Sequence, residues 1–225
     1  MTSKVLLTVA TRWEAAPLVA ALGLASVGPN RYAGRCGRQE ILAVQTGMGA
    51  AKTVRALDSA VDAREFSLAL SIGLCGSLQA EVQARDLVFD TGEAASQRDV
   101  ALGATAAELG LTCHLGRILH ADRVLHGPDK RELGALHGAL ACDMETSAVR
   151  TWAAGRMPVL GARVVLDEVG ETLPTEAPSG ESPVALARFA VLHAASLPRL
   201  FALGWRSARA MAVLNRFLKA YLQSL

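Results

Sequence analysis

Short β-like runs alternate with helical patterns from Lys4 to Leu166, and this alternation constrains the fold more than any other feature of the sequence. Elements of both kinds that alternate along a chain bury their apolar faces together by stacking helices on a sheet. Lys4 to Ala10 predicts a first strand, and Trp13 to Leu22 a helix closed by Gly23. Arg31 to Cys36 and Glu40 to Thr46 predict a hairpin around Gly37 and Arg38, followed by a helix from Ala50 to Val61. Strands are expected at Leu68 to Ile72, Asp86 to Asp90, His114 to Leu119, Ala139 to Asp143 and Pro158 to Leu166. Helices are expected at Thr105 to Leu109 and from Glu145 onward. The expected fold is α/β: one domain over residues 1–225 with a mixed central β-sheet flanked by helices and a basic amphipathic C-terminal helix.

With 225 residues, 51% of them hydrophobic, the chain fills one substantial core rather than two. Its longest apolar stretches, such as Val5 to Ala10, fall far short of the roughly 20 residues a spanning helix needs. The N-terminus lacks the pattern of a secretory signal, so a cytoplasmic location is expected. Cys36, Cys75, Cys113 and Cys142 are widely spaced with no CxxC pair, which predicts reduced thiols and neither a metal nor a cofactor.

Charge is unevenly distributed. From residue 183 onward there are six cations and no Asp or Glu, leaving 17 of the 23 cations and all 21 acids before it. The tail also holds Phe189, Phe201, Trp205, Phe217 and Tyr221, half of the ten aromatics. Between body and tail, Glu168 to Pro183 carries three prolines, two glycines and four glutamates, which predicts a mobile loop. Residues 184–225 follow as a basic helical segment.

Four constellations could carry chemistry. Gly47-Met48-Gly49-Ala50-Ala51-Lys52-Thr53 superficially suggests a phosphate loop, but that loop needs glycine where Ala51 stands. What remains is a Gly-x-Gly turn into a helix N-terminus, either a plain tight turn or a set of N–H groups facing an anion or a sugar hydroxyl. Ile72-Gly73-Leu74-Cys75-Gly76 is a second glycine turn, suited to close approach of a ligand or of another strand. Asp143-Met144-Glu145 places two acids where a strand meets a helix; Asp143 can cap the helix, and Glu145 can accept two hydrogen bonds from vicinal hydroxyls. Arg163 to Asp167 is a strand ending in an acid, either a solvated loop aspartate or a general acid at the edge of a crevice.

Taken in order, Ala10-Thr11-Arg12-Trp13-Glu14, Thr46-Gly47-Met48-Gly49, Ile72-Gly73-Leu74-Cys75-Gly76, Asp143-Met144-Glu145-Thr146-Ser147-Ala148 and Arg163-Val164-Val165-Leu166-Asp167 resemble the nucleoside phosphorylase and nucleosidase superfamily. The likeness is greatest to the methylthioadenosine/S-adenosylhomocysteine nucleosidases, and Leu197-Pro198-Arg199-Leu200 with Leu203-Gly204-Trp205-Arg206 is most similar to the hopanoid-associated branch. The resemblance implies cleavage of a purine N-glycosidic bond, with Asp167 protonating N7 and Glu14 activating water. It also implies that Glu145, Met144, Met48, Gly47 and Gly49 contact the ribose, that Gly73, Cys75 and Gly76 line the pocket, and that Arg163 neutralises and orients Glu14. Val124 falls where many nucleosidases have a purine-stacking aromatic. Leu166 falls where they have a serine beside the acid, so Asp167 must be oriented from elsewhere. Phosphorolytic relatives hold phosphate with an arginine and a serine where this chain has Ser71 and Leu74, and with a cation near Glu14. Water is therefore expected as nucleophile, although Arg12 and the Gly47 turn could cradle phosphate as a co-substrate.

The substrate expected from this branch is adenosylhopane, a lipid-linked adenosine of hopanoid side-chain biosynthesis. The alternatives are a soluble nucleoside, namely methylthioadenosine, S-adenosylhomocysteine or futalosine, or nucleoside binding without catalysis. A helical projection of Leu200 to Leu222 sets Leu203, Met211, Leu214, Leu218 and Tyr221 opposite Arg206, Arg209, Arg216 and Lys219. Such a helix either lies on an anionic membrane surface, which would make the protein peripheral on the inner membrane face, or docks on the domain. A homo-oligomer is expected from the resemblance; a nucleic-acid partner is not, since the basic face carries no recognisable reading motif.

Overall fold

The computed structural model describes residues 3–92, 97–173 and 197–225. Ten strands are described, joined in one sheet: β1 (Lys4–Val9), β2 (Ala25–Gly28), β3 (Arg31–Cys36), β4 (Gln39–Gln45), β5 (Leu68–Ser77), β6 (Leu87–Asp90), β7 (Cys113–Leu115), β8 (Ile118–His120), β9 (Ala141–Asp143) and β10 (Val159–Asp167). The helices are α1 (Arg12–Leu22), α2 (Ala50–Ala60), α3 (Gln97–Glu108), α4 (Gly127–His137), α5 (Thr146–Ala153) and α6 (Leu197–Ser224), with a short 3₁₀ turn at Ala63–Glu65.

The strand order is β2-β3-β4-β1-β5-β10-β6-β7, with β8 and β9 branching from the far end of β5. The central strands β4, β1, β5 and β10 run parallel, while β2 and β3 run antiparallel to their neighbours and β6 antiparallel to β10, so the sheet is mixed as expected. Alternation along β1 shows how the layers form: Val5, Leu7 and Val9 face the core shared with α1, α3 and α6, and Leu6 faces the second core under α2 and α5. Parallel pairing also brings the C-terminal ends of four central strands to one edge, where a crevice forms outside the sheet.

Helix ends follow their local chemistry. Thr11 and Glu14 form a capping box at the start of α1, and Gly23, at φ 66°, closes its end in the left-handed region. The expected strand His114 to Leu119 is in fact two, β7 and β8, which pair with different partners. The break falls at Gly116, where a Cβ would stand 2.6 Å from Leu140 Cδ1. Two elements carry no hydrophobic periodicity: β2 is an exposed edge strand, and α4 buries Gly127, Lys130 and Gly134 in place of an apolar stripe.

The C-terminal helix docks on the domain. Ala210, Met211, Leu214, Phe217, Leu218, Tyr221 and Leu222 are all buried in the core shared with α1 and the sheet. Of the two placements the sequence leaves open for this helix, the apolar face takes the docked one from Ala210 onward. Arg209, Arg216 and Lys219 remain exposed on the other side, as do Phe201 and Trp205 in the first turns. No described helix is long and apolar enough to cross a membrane. Of the expected loop and tail, residues 174–196 lie outside the described residues.

Candidate active site

The strand ends enclose a cleft of about 240 Å³ lined by Ala10, Glu14, Met48, Cys75, Met144, Glu145 and Asp167, with Leu74, Val124, Leu166 and Leu173 among the other lining residues. The five ordered motifs therefore converge in space.

Asp167 closes β10. Between Val165 and Asp167 the register against β5 shifts, which sets Asp167 opposite Gly76. A Cβ on Gly76 would lie 3.2 Å from Asp167 Oδ2 and 3.4 Å from Cys142 Sγ, so the missing side chain lets the acid sit close on the strand. Asp167 is buried, and desolvation is the largest influence on it; Lys130 opposes that, and the carboxyl ends above its ordinary pKa.

Glu14 reaches the cleft from the first turn of α1. Its Oε2 accepts from the Thr11 N–H and hydroxyl, each at 2.9 Å, and its Oε1 accepts from the Leu74 N–H at 3.1 Å. One carboxylate thus caps the helix and bridges to β5. Gly73, at φ 153°, makes this possible: a Cβ there would lie 2.6 Å from Arg163 Nη1 and closer still to Glu14 Oε1.

Glu145 accepts from the Gly49 N–H at 2.8 Å, which ties the first glycine turn to the strand–helix junction. Burial pushes its pKa up, against the pull of Arg163 and the Gly49 N–H. Gly47 and Gly49 adopt φ 85° and 90°, which a side chain would strain, and so deliver Met48 to the mouth, 58% exposed. Val124 is also exposed there, while Met144 is half-buried.

Arg163 lies beneath the cleft, 1% exposed. The sequence has it neutralise and orient Glu14, and no hydrogen bond joins the two for the second part. Instead its guanidinium pairs with Asp143 at 2.5 Å and donates to Ser71 Oγ at 2.7 Å and Thr146 Oγ1 at 3.1 Å, with Glu145 at 3.8 Å. Its influence on Glu14 is through space, one of three carboxylates gathered around a single buried cation. Asp143 also accepts from the Thr146 N–H and hydroxyl, which fulfils the capping role open to it from the sequence. Arg12 is exposed on α1 and is not among the residues lining the cleft, so the fold does not bring it to the other candidates.

The sequence reading misses Lys130. It is buried, pairs with Asp167 Oδ2, and donates to the Glu168 carbonyl at 2.8 Å. The available signal was local: Pro128 and Asp129 in a first turn and Gly138 just past a last one mark a helix that hydrophobic spacing conceals. Cys75 and Cys142 also line the cleft; burial holds Cys75 well above the ordinary thiol pKa and raises Cys142 to about 11, so both are neutral thiols. Among the described residues no cluster of three or more His, Cys, Asp or Glu could hold a metal ion.

Known proteins share part of this sequence and its fold. Residues 4–99 match the Phosphorylase superfamily. A DeoD-type purine nucleoside phosphorylase from Geobacillus kaustophilus is 29% identical over 135 residues, covering 51% of this chain and 57% of that protein. The 5′-methylthioadenosine/S-adenosylhomocysteine nucleosidase of Campylobacter jejuni superposes over 100% of both chains with a TM-score of 0.75 at 15% identity. A Helicobacter pylori nucleosidase mutant holding 5′-methylthioadenosine gives 0.74 at 18% identity, again over 100% of both chains. A futalosine hydrolase mutant from the same organism gives 0.73 at 18%, with the same coverage. The chain has the fold of these nucleosidases.

Proposed function

We propose that this protein cleaves the N-glycosidic bond of a 5′-substituted adenosine and releases adenine. The observation that carries the reading is the placement of Asp167, Glu14 and Glu145 around one cleft, each fixed by a glycine or a backbone N–H. Asp167 gives its proton to N7 as the C1′–N9 bond breaks and the bonding electrons leave with the purine. Its raised pKa suits that task, because the acid must still hold its proton near neutrality. Glu145 accepts from the ribose hydroxyls, with Met144 and Met48 against the sugar. As the ribose gains oxocarbenium character, the carboxylates of Glu14 and Glu145 stabilise it more than the ground state. Water adds at C1′ and loses a proton towards Glu14.

Water is favoured over phosphate because Glu14 presents negative charge where a phosphate would sit, Leu74 is apolar, and Ser71 is committed to Arg163 and Thr146. The preferred substrate is adenosylhopane, in hopanoid side-chain biosynthesis. Leu173, in the cleft lining, would contact an apolar 5′ group, and exposed Phe201 and Trp205 beside Arg209 are what remains of α6 to meet an anionic membrane. The buried half of α6 favours the second reading, a soluble nucleoside such as methylthioadenosine, S-adenosylhomocysteine or futalosine. A homo-oligomer is proposed in either case, on the resemblance alone.

The test is adenine release from adenosylhopane in detergent and from methylthioadenosine, each with and without phosphate. Release from the lipid substrate alone, independent of phosphate, is expected; phosphate dependence would reverse the choice of nucleophile. Release from methylthioadenosine alone would select the soluble reading, and release from neither would leave nucleoside binding without catalysis.

A further inference from the structure

A buried cation sits against the acid that this reading makes the proton donor. Lys130 is 1% exposed on α4. Its Nζ donates to Asp167 Oδ2, to the Glu168 carbonyl at 2.8 Å and to the Glu171 carbonyl at 3.4 Å, so each of the three ammonium protons has a partner. From the opposite side Arg206 of α6 donates to the Leu166 carbonyl at 2.8 Å and pairs with Glu171 at 2.6 Å. The junction bearing Asp167 is thus clamped between two helices. Holding Oδ2 leaves Oδ1 as the oxygen with no hydrogen bond from the described residues. Leu166 supplies no hydroxyl, so the bond from Lys130 is what orients the acid.

We propose that Lys130 is the positioning residue of the glycosidase reaction, turning Oδ1 of Asp167 into the cleft and stabilising the carboxylate that forms as Asp167 gives its proton to N7. The inference rests on the nucleosidase reading. Its physical basis is a difference between two states. Before transfer Asp167 is a neutral acid and gains little from an adjacent ammonium; after transfer it is an anion and gains much. The same contact costs some of the protonated form at rest, since an opposite charge at this range lowers a carboxyl pKa by roughly 1–3 units. The other groups facing Asp167 are Glu171 from the following loop, Arg206 from α6, and the neutral thiols Cys75 and Cys142 from β5 and β9. Lys130 alone among them is a buried cation in contact with the carboxylate.

Two substitutions separate charge from shape. Lys130→Met removes the charge and all three donors, whereas Lys130→Gln keeps an N–H₂ for the loop carbonyls and remains informative if the first variant does not fold. The Asp167 carboxyl is titrated directly by ¹³C NMR of aspartate-labelled protein, its resonance assigned by its loss in Asp167→Asn. A rise of roughly 1–3 pH units in either variant is expected, reversed in Lys130→Arg. An unmoved titration overturns the inference, whatever the activity. In adenine release, the basic limb of the pH profile should move up with the NMR value while the low-pH plateau of kcat falls at least tenfold. A fallen plateau with an unmoved limb indicates a merely structural role, and an unchanged plateau removes the transition-state role; both overturn the proposal. If the native protein releases no adenine, the nucleosidase reading fails and takes the catalytic role of Lys130 with it, while the NMR titration still decides whether Lys130 governs the acid.

Discussion

Replacing Gly73 with alanine tests the site's construction at its tightest point. The new Cβ would stand 2.6 Å from Arg163 Nη1 and closer to Glu14 Oε1, where ordinary contacts begin near 3.5 Å, so one or both groups must retreat by about 1 Å. Neither can retreat freely: Arg163 is locked to Asp143, Ser71 and Thr146, and Glu14 to Thr11 and Leu74. The backbone at φ 153° adds strain of about 1–3 kcal/mol for a residue with a side chain. If the Leu74 N–H loses Glu14, a charge-assisted hydrogen bond worth roughly 1.5–3 kcal/mol goes with it. We expect Gly73→Ala to lose about 2.5–6 kcal/mol in urea unfolding, the two contributions together. We also expect kcat for adenine release to fall about 100-fold, the cost of a misplacement near 1 Å. Gly103→Ala is the control, because this helical glycine has open space around its Cβ position and should gain up to about 1 kcal/mol. Native-like kcat and stability in Gly73→Ala would refute the close approach of Glu14 and Arg163 over this strand.

Two further outcomes follow from other parts of the molecule. Phe217 is fully buried and its ring lies 4.7 Å from that of Phe89, so Phe217→Ala should cost about 3–5 kcal/mol in chemical denaturation; a loss under about 1 kcal/mol would mean that α6 is not docked. Burial pushes the Asp90 pKa up, but Arg150 and the Ile118 and Gly92 N–H groups outweigh it and hold the carboxyl below its ordinary value. Its stabilisation is therefore present above the ordinary carboxylate pKa and lost as pH falls through the depressed one. Asp90→Asn should be roughly 1.5–3 kcal/mol less stable than the native protein at neutral pH. That gap should close on acidification, and a gap that widens instead would contradict the sign.

Sequence spacing revealed the strands and helices whose burial is apolar, such as β1 and α1, because alternation and helical periodicity are what it detects. It concealed α4 for the same reason: a buried face of Gly127, Lys130 and Gly134 has helical spacing and no hydrophobic signature. Glu14, Gly73, Glu145 and Asp167 were legible as parts of ordered motifs, and the parallel sheet brings them to one edge. The true partners were not legible. Arg163 pairs with Asp143 twenty positions away, and Lys130 meets Asp167 only because α4 folds back under the end of β10. Thr11 and Glu14 spell a capping box in plain sequence, and that signal alone would have fixed where the carboxylate points.

Strand β5 serves both ends of the chemistry: Gly73 underlies the carboxylate assigned to water, and Gly76 underlies the acid assigned to the base. Three residues of extended chain separate them, about 10 Å at the usual rise. Covalent bonds therefore act as the gauge between proton donor and nucleophile, and no loop movement can lengthen it. Variation in substrate must be absorbed where the walls are side chains, as at Leu173. In engineering terms, the reaction is invariant machinery and the 5′ group is a replaceable fitting: exchanges at Leu173 should retune selectivity while leaving the spacing of the chemistry untouched.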